Sequence, residues 1–254
     1  MRQDERVGFD TALERARRAA YPAGEFVGQE SFMRASEIRS LAVRAGIAPG
    51  VSVLDLCCGV AGPGRFVTAE LGCDYLGVDS SPSAVGIARE RGDGLGCRFE
   101  VARIPPLPPG RFDVVLLLET MLAFADKENL LQGIASALPA GGRFAFTLEE
   151  GRALTPAERR AMPDADTVWL MSLPDLLALL EQSGFRVQWT EECSGRHREM
   201  VAALTEAYAA DRVDIAAEVG ERAVDELLAA HRLWGEWLGH GRVRKFAIVA
   251  EKVT

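Results

Sequence analysis

Histidine is scarce in this sequence, with three among 254 residues, at positions 197, 231 and 240. Such scattered imidazoles offer no recognisable zinc spacing. The five cysteines, at 57, 58, 73, 97 and 193, include no C-x-x-C pair. An odd number of cysteines in a chain without an export signal predicts reduced thiols, with Cys57 and Cys58 as small packing residues. A basic excess is missing too: the formal net charge is −8. A nucleic-acid binder needs a cationic surface to displace counterions, so no nucleic-acid partner is expected. No apolar run approaches the length of a bilayer crossing, and the opening Met-Arg-Gln-Asp-Glu-Arg leads into no apolar signal segment. The expectation is a cytoplasmic protein with no membrane partner. Internal repeats and low-complexity segments are also absent, and nothing in the sequence reports an oligomeric state.

What is present is apolar residue in quantity: 48% hydrophobic and 26% charged positions supply the core of one large α/β domain. Its organising stretch is 51–64, Val-Ser-Val-Leu-Asp-Leu-Cys-Cys-Gly-Val-Ala-Gly-Pro-Gly. Val51, Val53, Leu54 and Leu56 run too continuously for a half-exposed strand and predict one buried on both faces of a parallel sheet. Gly59, Gly62 and Gly64 then allow a tight turn and a close approach to a ligand, because none has a Cβ. Residues 73–78 read as the next strand. Asp79 falls at its end, where a carboxylate about 20 residues beyond the turn suits the two hydroxyls of a ribose. A helix over 63–71 would point its positive N-terminal end at a bound carboxylate.

These residues resemble the first motif of the class I S-adenosylmethionine-dependent methyltransferases, Asp/Glu-x-Gly-x-Gly-x-Gly followed by a second acid after the next strand. Asp55, Gly59 and Asp79 match it, while Cys57 and Ala61 stand where the pattern has glycine. Gly77-Val78-Asp79-Ser80-Ser81-Pro82, Phe112-Asp113-Val114-Val115 and Leu138-Pro139-Ala140-Gly141-Gly142-Arg143 resemble the family's later motifs, in its order and spacing. The stretch 119–127, Glu-Thr-Met-Leu-Ala-Phe-Ala-Asp-Lys, resembles Glu-Ser-x-x-His-x-Pro-Asp-Lys of the branch that methylates sterols, tocopherols and dimethylglycine. Ala123 replaces that histidine, so a mechanism needing it is excluded.

The resemblance implies an α/β fold: a doubly wound Rossmann-like sheet, mostly parallel with an antiparallel last strand, plus a helical lid. It implies S-adenosylmethionine as cofactor and a small-molecule acceptor methylated at N, C or O. The implied cofactor contacts are Asp55, Cys57, Gly59, Gly62, Asp79, Ser80 and Leu118. Arg103 and Ile104 take the places where the family often sets an acid and Ala against the adenine. Gln29 and Tyr21, in the loop before the first strand, are candidates for cofactor or substrate contact, or else hold that loop together.

Elsewhere, residues 3–20 predict a capping helix solvated on most of its surface, and 32–46 a helix that Ser31 could cap. Helices are expected over 82–91 and 127–138 and from Ser172 to Gly184, and strands over 98–101, 112–118, 142–148, 185–191 and 243–253. Residues 151–171 look like an insertion, and 197–237 are mostly helical. The expected division is an N-terminal helical cap (1–46), a cofactor-binding core (47–193), a helical lid (194–241) and a final edge strand (242–254).

Glu119 lies at the C-terminal end of the fourth strand, where an open α/β sheet forms its crevice. It is the candidate for the acceptor step, or else a carboxylate that contacts only the cofactor or a backbone amide. His197, where the lid begins, is a candidate base or donor, or else a surface histidine between arginines; His231 and His240 read as structural. Trp169, Trp234 and Trp237 either line an apolar pocket or belong to the core. Glu149 and Glu150 follow the fifth strand as a magnesium-holding pair does in catechol-type methyltransferases, but nothing else supports a metal and none is expected. Two other readings remain. Gly59-x-Ala61-x-x-Gly64 approximates the fingerprint of a nicotinamide-dependent oxidoreductase, against which Asp55 argues, since strands of that kind run apolar into the turn. The third is a non-catalytic cofactor-binding homologue.

Overall fold

The computed structural model describes residues 11–253, so the part of the first helix expected over 3–10 lies outside the described residues. Helix α1 (Ala12–Ala20) begins at Thr11, whose hydroxyl accepts the Glu14 N–H at 3.1 Å. Helix α2 (Ala35–Arg44) begins after Arg34 rather than at Ser31, because the Glu37 carboxylate accepts the Arg34 N–H at 3.0 Å and so fixes the start.

Seven strands form one sheet: β1 (Ser52–Leu56), β2 (Asp74–Asp79), β3 (Arg98–Val101), β4 (Val114–Leu117), β5 (Arg143–Glu150), β6 (Phe185–Glu192) and β7 (Arg244–Lys252). Their order is β3-β2-β1-β4-β5-β7-β6, with β1 to β5 parallel and β7 antiparallel to both neighbours. The four residues of β4 are all buried, which is why β4 and β1 sit centrally. The expected edge strand is corrected here. β7 lies inside the sheet and β6 forms the edge. The residues explain it: β7 is buried from Lys245 to Ala250, whereas β6 alternates partly buried with exposed residues after Phe185.

Helices cover both faces. On one, α5 (Lys127–Ala137) and α7 (Leu173–Gln182) pack Leu130, Ile134, Leu176 and Leu180 against Leu54, Leu56, Val115 and Phe146. On the other, α2, α3 (Gly62–Leu71) and α4 (Pro82–Arg91) pack Ile38, Leu41, Val67 and Val85 against Val53, Tyr75, Leu116 and Val249. Each such fully buried side chain contributes about 1.5–3 kcal/mol of transfer free energy. The insertion carries the short α6 (Pro156–Ala161).

The lid is built from α8 (Ser194–Ala210), α9 (Arg212–Val219) and α10 (Glu221–Gly239). Helix α1 belongs to it: Ala12 and Ala16 are buried in one cluster with Leu204, Tyr208, Ile215 and Leu228. The expected cap over 1–46 is therefore divided, with α1 in the lid and α2 on the sheet. Small alanines let α1 approach closely, although its sequence reads as solvated. No helix among the described residues is long and apolar enough to cross a membrane.

Candidate active site

The turn after β1 puts Cys57, Gly59 and Ala61 at φ 59°, 54° and 58°, all in the left-handed region. The two departures from the glycine pattern thus keep a glycine backbone, at a strain of about 1 kcal/mol or more each. Gly62 has a different reason to lack a side chain. A Cβ there would lie 2.7 Å from the Val27 carbonyl oxygen and closer still to Gly28, so Gly62 admits the crossing N-terminal loop.

Beneath the turn, Tyr75 donates a 2.6 Å hydrogen bond to Asp55 Oδ2, with both residues buried. Burial pushes the Asp55 carboxyl up to about 7; the Tyr75 bond opposes that and the Asp79 charge adds to it. Asp79 joins the two loops, its Oδ2 accepting from Gly59 N at 2.9 Å and its Oδ1 from Ser81 N at 2.8 Å. Each oxygen keeps a lone pair for a further donor. Asp55, Cys57, Gly59, Gly62, Asp79 and Leu118 line one cavity of about 270 Å³, together with Glu30, Ser31 and Glu119.

The other expected contacts are not in its wall. Ser80 and Arg103 are exposed, and Ile104 packs against the core beside Ala102 and Leu107. Gln29 is a brace for the loop, because backbone groups already engage its amide. Its oxygen accepts from Val27 N at 2.6 Å, and its Nε2 donates to the carbonyls of Glu25 (2.7 Å) and Met33 (2.9 Å). Tyr21 likewise donates its hydroxyl to the Ser31 carbonyl.

Glu119 follows β4 in a left-handed conformation, φ 60°, and its N–H donates to Thr147 Oγ1 at 2.7 Å. Its carboxylate sits in a buried charge cluster. Lys245 donates to Glu149, its register partner across β5 and β7, and its Nζ also forms an ion pair with Glu119 Oε1 at 2.7 Å. His197, fully buried, places Nδ1 3.9 Å from Glu119 Oε2 and Nε2 3.6 Å from Glu37 Oε1. Arg196 Nε holds that same Glu37 oxygen at 2.8 Å.

Burial raises the Glu119 carboxyl, but Lys245 and His197 together carry it below its ordinary range. Glu149 stays raised, because burial and the Glu119 charge outweigh its share of Lys245. Burial opposes the Lys245 charge, yet the two carboxylates hold the ammonium well above its usual value. Glu119 Oε1, Glu149 Oε2 and both His197 nitrogens have no hydrogen-bond partner.

This cluster is the floor of a second cavity, of about 320 Å³, walled by Phe32, Leu122, Met162, Leu204, Tyr208 and Trp234 among others. The two cavities share Glu30, Ser31 and Glu119. Of the three tryptophans considered, Trp234 lines the chamber. Trp237 is packed with Leu154 and Val243, and Trp169 lies 38% exposed under Arg159. His231 is in the chamber wall, its Nδ1 2.8 Å from the Leu227 carbonyl and its ring edge-on to Phe32 and Tyr208. Glu149 and Glu150 are taken up by Lys245 and Arg244. Sequence reasoning missed Lys245 and Glu37. The signal for the former is a lone lysine at the head of the apolar run 246–250, on the strand face of Glu149.

Residues 53–142 match the family described as a methyltransferase domain. An uncharacterized methyltransferase of Synechocystis sp. is 32% identical over 149 residues, which cover 56% of this chain and 69% of that protein. Phosphoethanolamine N-methyltransferase 3 of Arabidopsis thaliana is 27% identical over 70% of this chain, which spans 34% of that relative's length. Phosphoethanolamine N-methyltransferase 2 of Haemonchus contortus, solved with S-adenosyl-L-methionine, has a TM-score of 0.78 and 19% identity over 98% of this chain and 59% of that one. The chain belongs to the class I S-adenosylmethionine-dependent methyltransferases, and it has their Rossmann-like fold. The nicotinamide reading is set aside.

Proposed function

We propose that this protein transfers the methyl group of S-adenosylmethionine to a small, apolar or amphipathic acceptor held in the chamber under the lid. The observation that carries this reading is the meeting of the two cavities at Glu30, Ser31 and Glu119. One cavity has the loop of a nucleoside site and the other has apolar walls, so the reacting atoms belong where they join. S-adenosylmethionine supplies an electrophilic methyl on a sulfonium: an acceptor lone pair bonds to the carbon while the sulfur–carbon pair returns to sulfur. In this reading Asp79 accepts from the ribose hydroxyls, and the N-terminal amides of α3 face the carboxylate. Leu118 packs against the cofactor. Glu119 and His197 face the acceptor, the first to orient it and the second to take a proton. Holding the acceptor in place is worth on the order of 7–11 kcal/mol. The reading takes the cytoplasm as the compartment, where the five free cysteines stay reduced.

Isothermal titration with S-adenosylmethionine, its demethylated product and NAD tests it. Micromolar binding of the first two and none of the third is expected, followed by a one-methyl mass gain on an acceptor. Failure to bind S-adenosylmethionine overturns the reading, and binding without transfer to any acceptor points to the non-catalytic homologue.

A further inference from the structure

We infer that the acceptor is a hydrophobic amine, its nitrogen docked on Glu149 and Glu119 and its body against Phe32, Met162, Leu204 and Trp234. This rests on the methyl-transfer reading and names its substrate class.

The first ground is the unfilled hydrogen-bonding capacity of the floor. Glu149 Oε2 is a buried acceptor without a hydrogen-bond donor, and Glu119 Oε1 beside it has only its ion pair with Lys245 Nζ at 2.7 Å. A group that fills the chamber must bring N–H or O–H bonds to them, since a buried carboxylate oxygen left unpaired is costly. An amine or ammonium brings two or three donors and an alcohol one. A carboxylate, a phenolate or an alkene brings none.

The second ground is charge. The charged groups facing the chamber are Arg17, Glu30, Glu119, Glu149 and Lys245. Arg17 and Glu30 pair with each other at 2.5 Å, leaving two carboxylates against one ammonium. Both cations lining the chamber are thus engaged, and neither is left to hold an acidic substrate. An anionic oxygen acceptor would meet two acids of its own sign, which raises its pKa and removes the reactive form. An amine reverses the relation. Its bound ammonium gives one proton to His197, whose Nδ1 and Nε2 lie 3.9 Å from Glu119 and 3.6 Å from Glu37, so that the two carboxylates stabilise the imidazolium formed. The neutral nitrogen then bonds to the methyl carbon as the sulfur–carbon pair stays on sulfur. Positive charge moves from sulfur to nitrogen, into the chamber where the acids stabilise it as it develops.

The third ground is the wall. Aromatic and aliphatic side chains surround the acids, so a small hydrophilic amine would leave that surface wet, and an amine with an apolar body covers it.

The test is a thermal-shift ranking of the purified protein saturated with S-adenosylhomocysteine, against matched sets of hydrophobic amines, alcohols and carboxylates that share each carbon skeleton. Tryptamine, tryptophol and indole-3-acetate form one such set. The expected result is that the largest shifts come from amines, with at least about tenfold tighter binding than the matched acid or alcohol. That preference should collapse in Glu149→Gln. Largest shifts from acids or alcohols, no shift from any amine, or an unchanged preference in Glu149→Gln would overturn the inference. Titration with S-adenosylhomocysteine beforehand separates the two readings. No cofactor binding sinks methyl transfer itself, whereas cofactor binding with an acid preference sinks only the amine. The wild-type ranking stands alone if Glu149→Gln does not fold.

Discussion

Tyr75 reaches Asp55 only because Gly64 has no side chain: the phenol passes where a Gly64 Cβ would sit, and its hydroxyl meets Asp55 Oδ2 at 2.6 Å. Gly64→Ala should destabilise the fold by about 1–3 kcal/mol through overpacking. Tyr75→Leu in that background should return part of the loss by removing the hydroxyl and the ring carbons Cζ and Cε2, which would all lie within 2.5 Å of the new Cβ. Urea denaturation of the single and double variants measures this, and strictly additive losses would contradict it.

Asp55 links stability to pH. Its folded pKa of about 7 lies above the ordinary 3.8, so between those values the folded chain keeps a proton that the unfolded chain releases. Stability therefore falls as pH rises through that window and levels off above it, with a contribution on the order of 4 kcal/mol at most. Asp55→Asn should flatten this slope. Melting temperatures from pH 4 to 8 for both proteins check it, and an unchanged slope would remove Asp55 as the source.

Ala61 holds a backbone that glycine adopts freely, at φ 58°. Ala61→Gly should stabilise the protein by about 0.5–1 kcal/mol, as relief of strain exceeds the added freedom of the unfolded chain. A lower denaturation midpoint in this variant would show that the alanine methyl packs better than the backbone suffers.

Asp79 ties the two loops together and faces the first cavity. Asp79→Ala is expected to weaken S-adenosylmethionine binding about a hundredfold or more, the effect of losing two hydrogen bonds to a charged group. Calorimetry reads this directly. Affinity within a few-fold of wild type would move the ribose elsewhere.

Lys245 is the buried cation between two buried acids. Lys245→Met should cost about 3–5 kcal/mol, because it leaves Glu119 and Glu149 uncompensated. Adding Glu149→Gln should recover much of that. A double variant no more stable than the single one would show that the lysine stem, not its charge, does the holding.

The sheet was legible in the sequence because its central strands are buried on both faces and read as unbroken apolar runs, and the turn because its glycines and acids are local. The exchange of β7 and β6 was not legible, since the order of an edge hairpin depends on which strand is better covered, a property of the assembled helices. Of the two readings open for Gln29, the structure shows the loop brace, because its amide is engaged by backbone groups, and Arg103 is exposed outside the first cavity. The floor of the chamber draws at once on the turn after β4 and on β5, α8 and β7. His197, between Arg196 and Arg198, read either as a base or donor at the site or as a surface residue; helical periodicity sends its neighbours outward and leaves it buried, against the surface reading. Glu119 was legible because it ends a strand, and Lys245 was not because its meaning comes from Glu149 across the sheet.

The place of β7 between β5 and β6 also ties the floor of the chamber to a long-range pairing. It follows every lid helix in the chain, so its pairing with β5 closes the sheet across the whole lid segment. Until β7 inserts, β5 has a bare edge and the acids of the floor lack their cation. Pairing Arg143 with Glu251 joins positions far apart in the chain, a slow kind of contact to make. The floor of the chamber is therefore complete only when 244–252 has joined the sheet, because Lys245 comes from that strand.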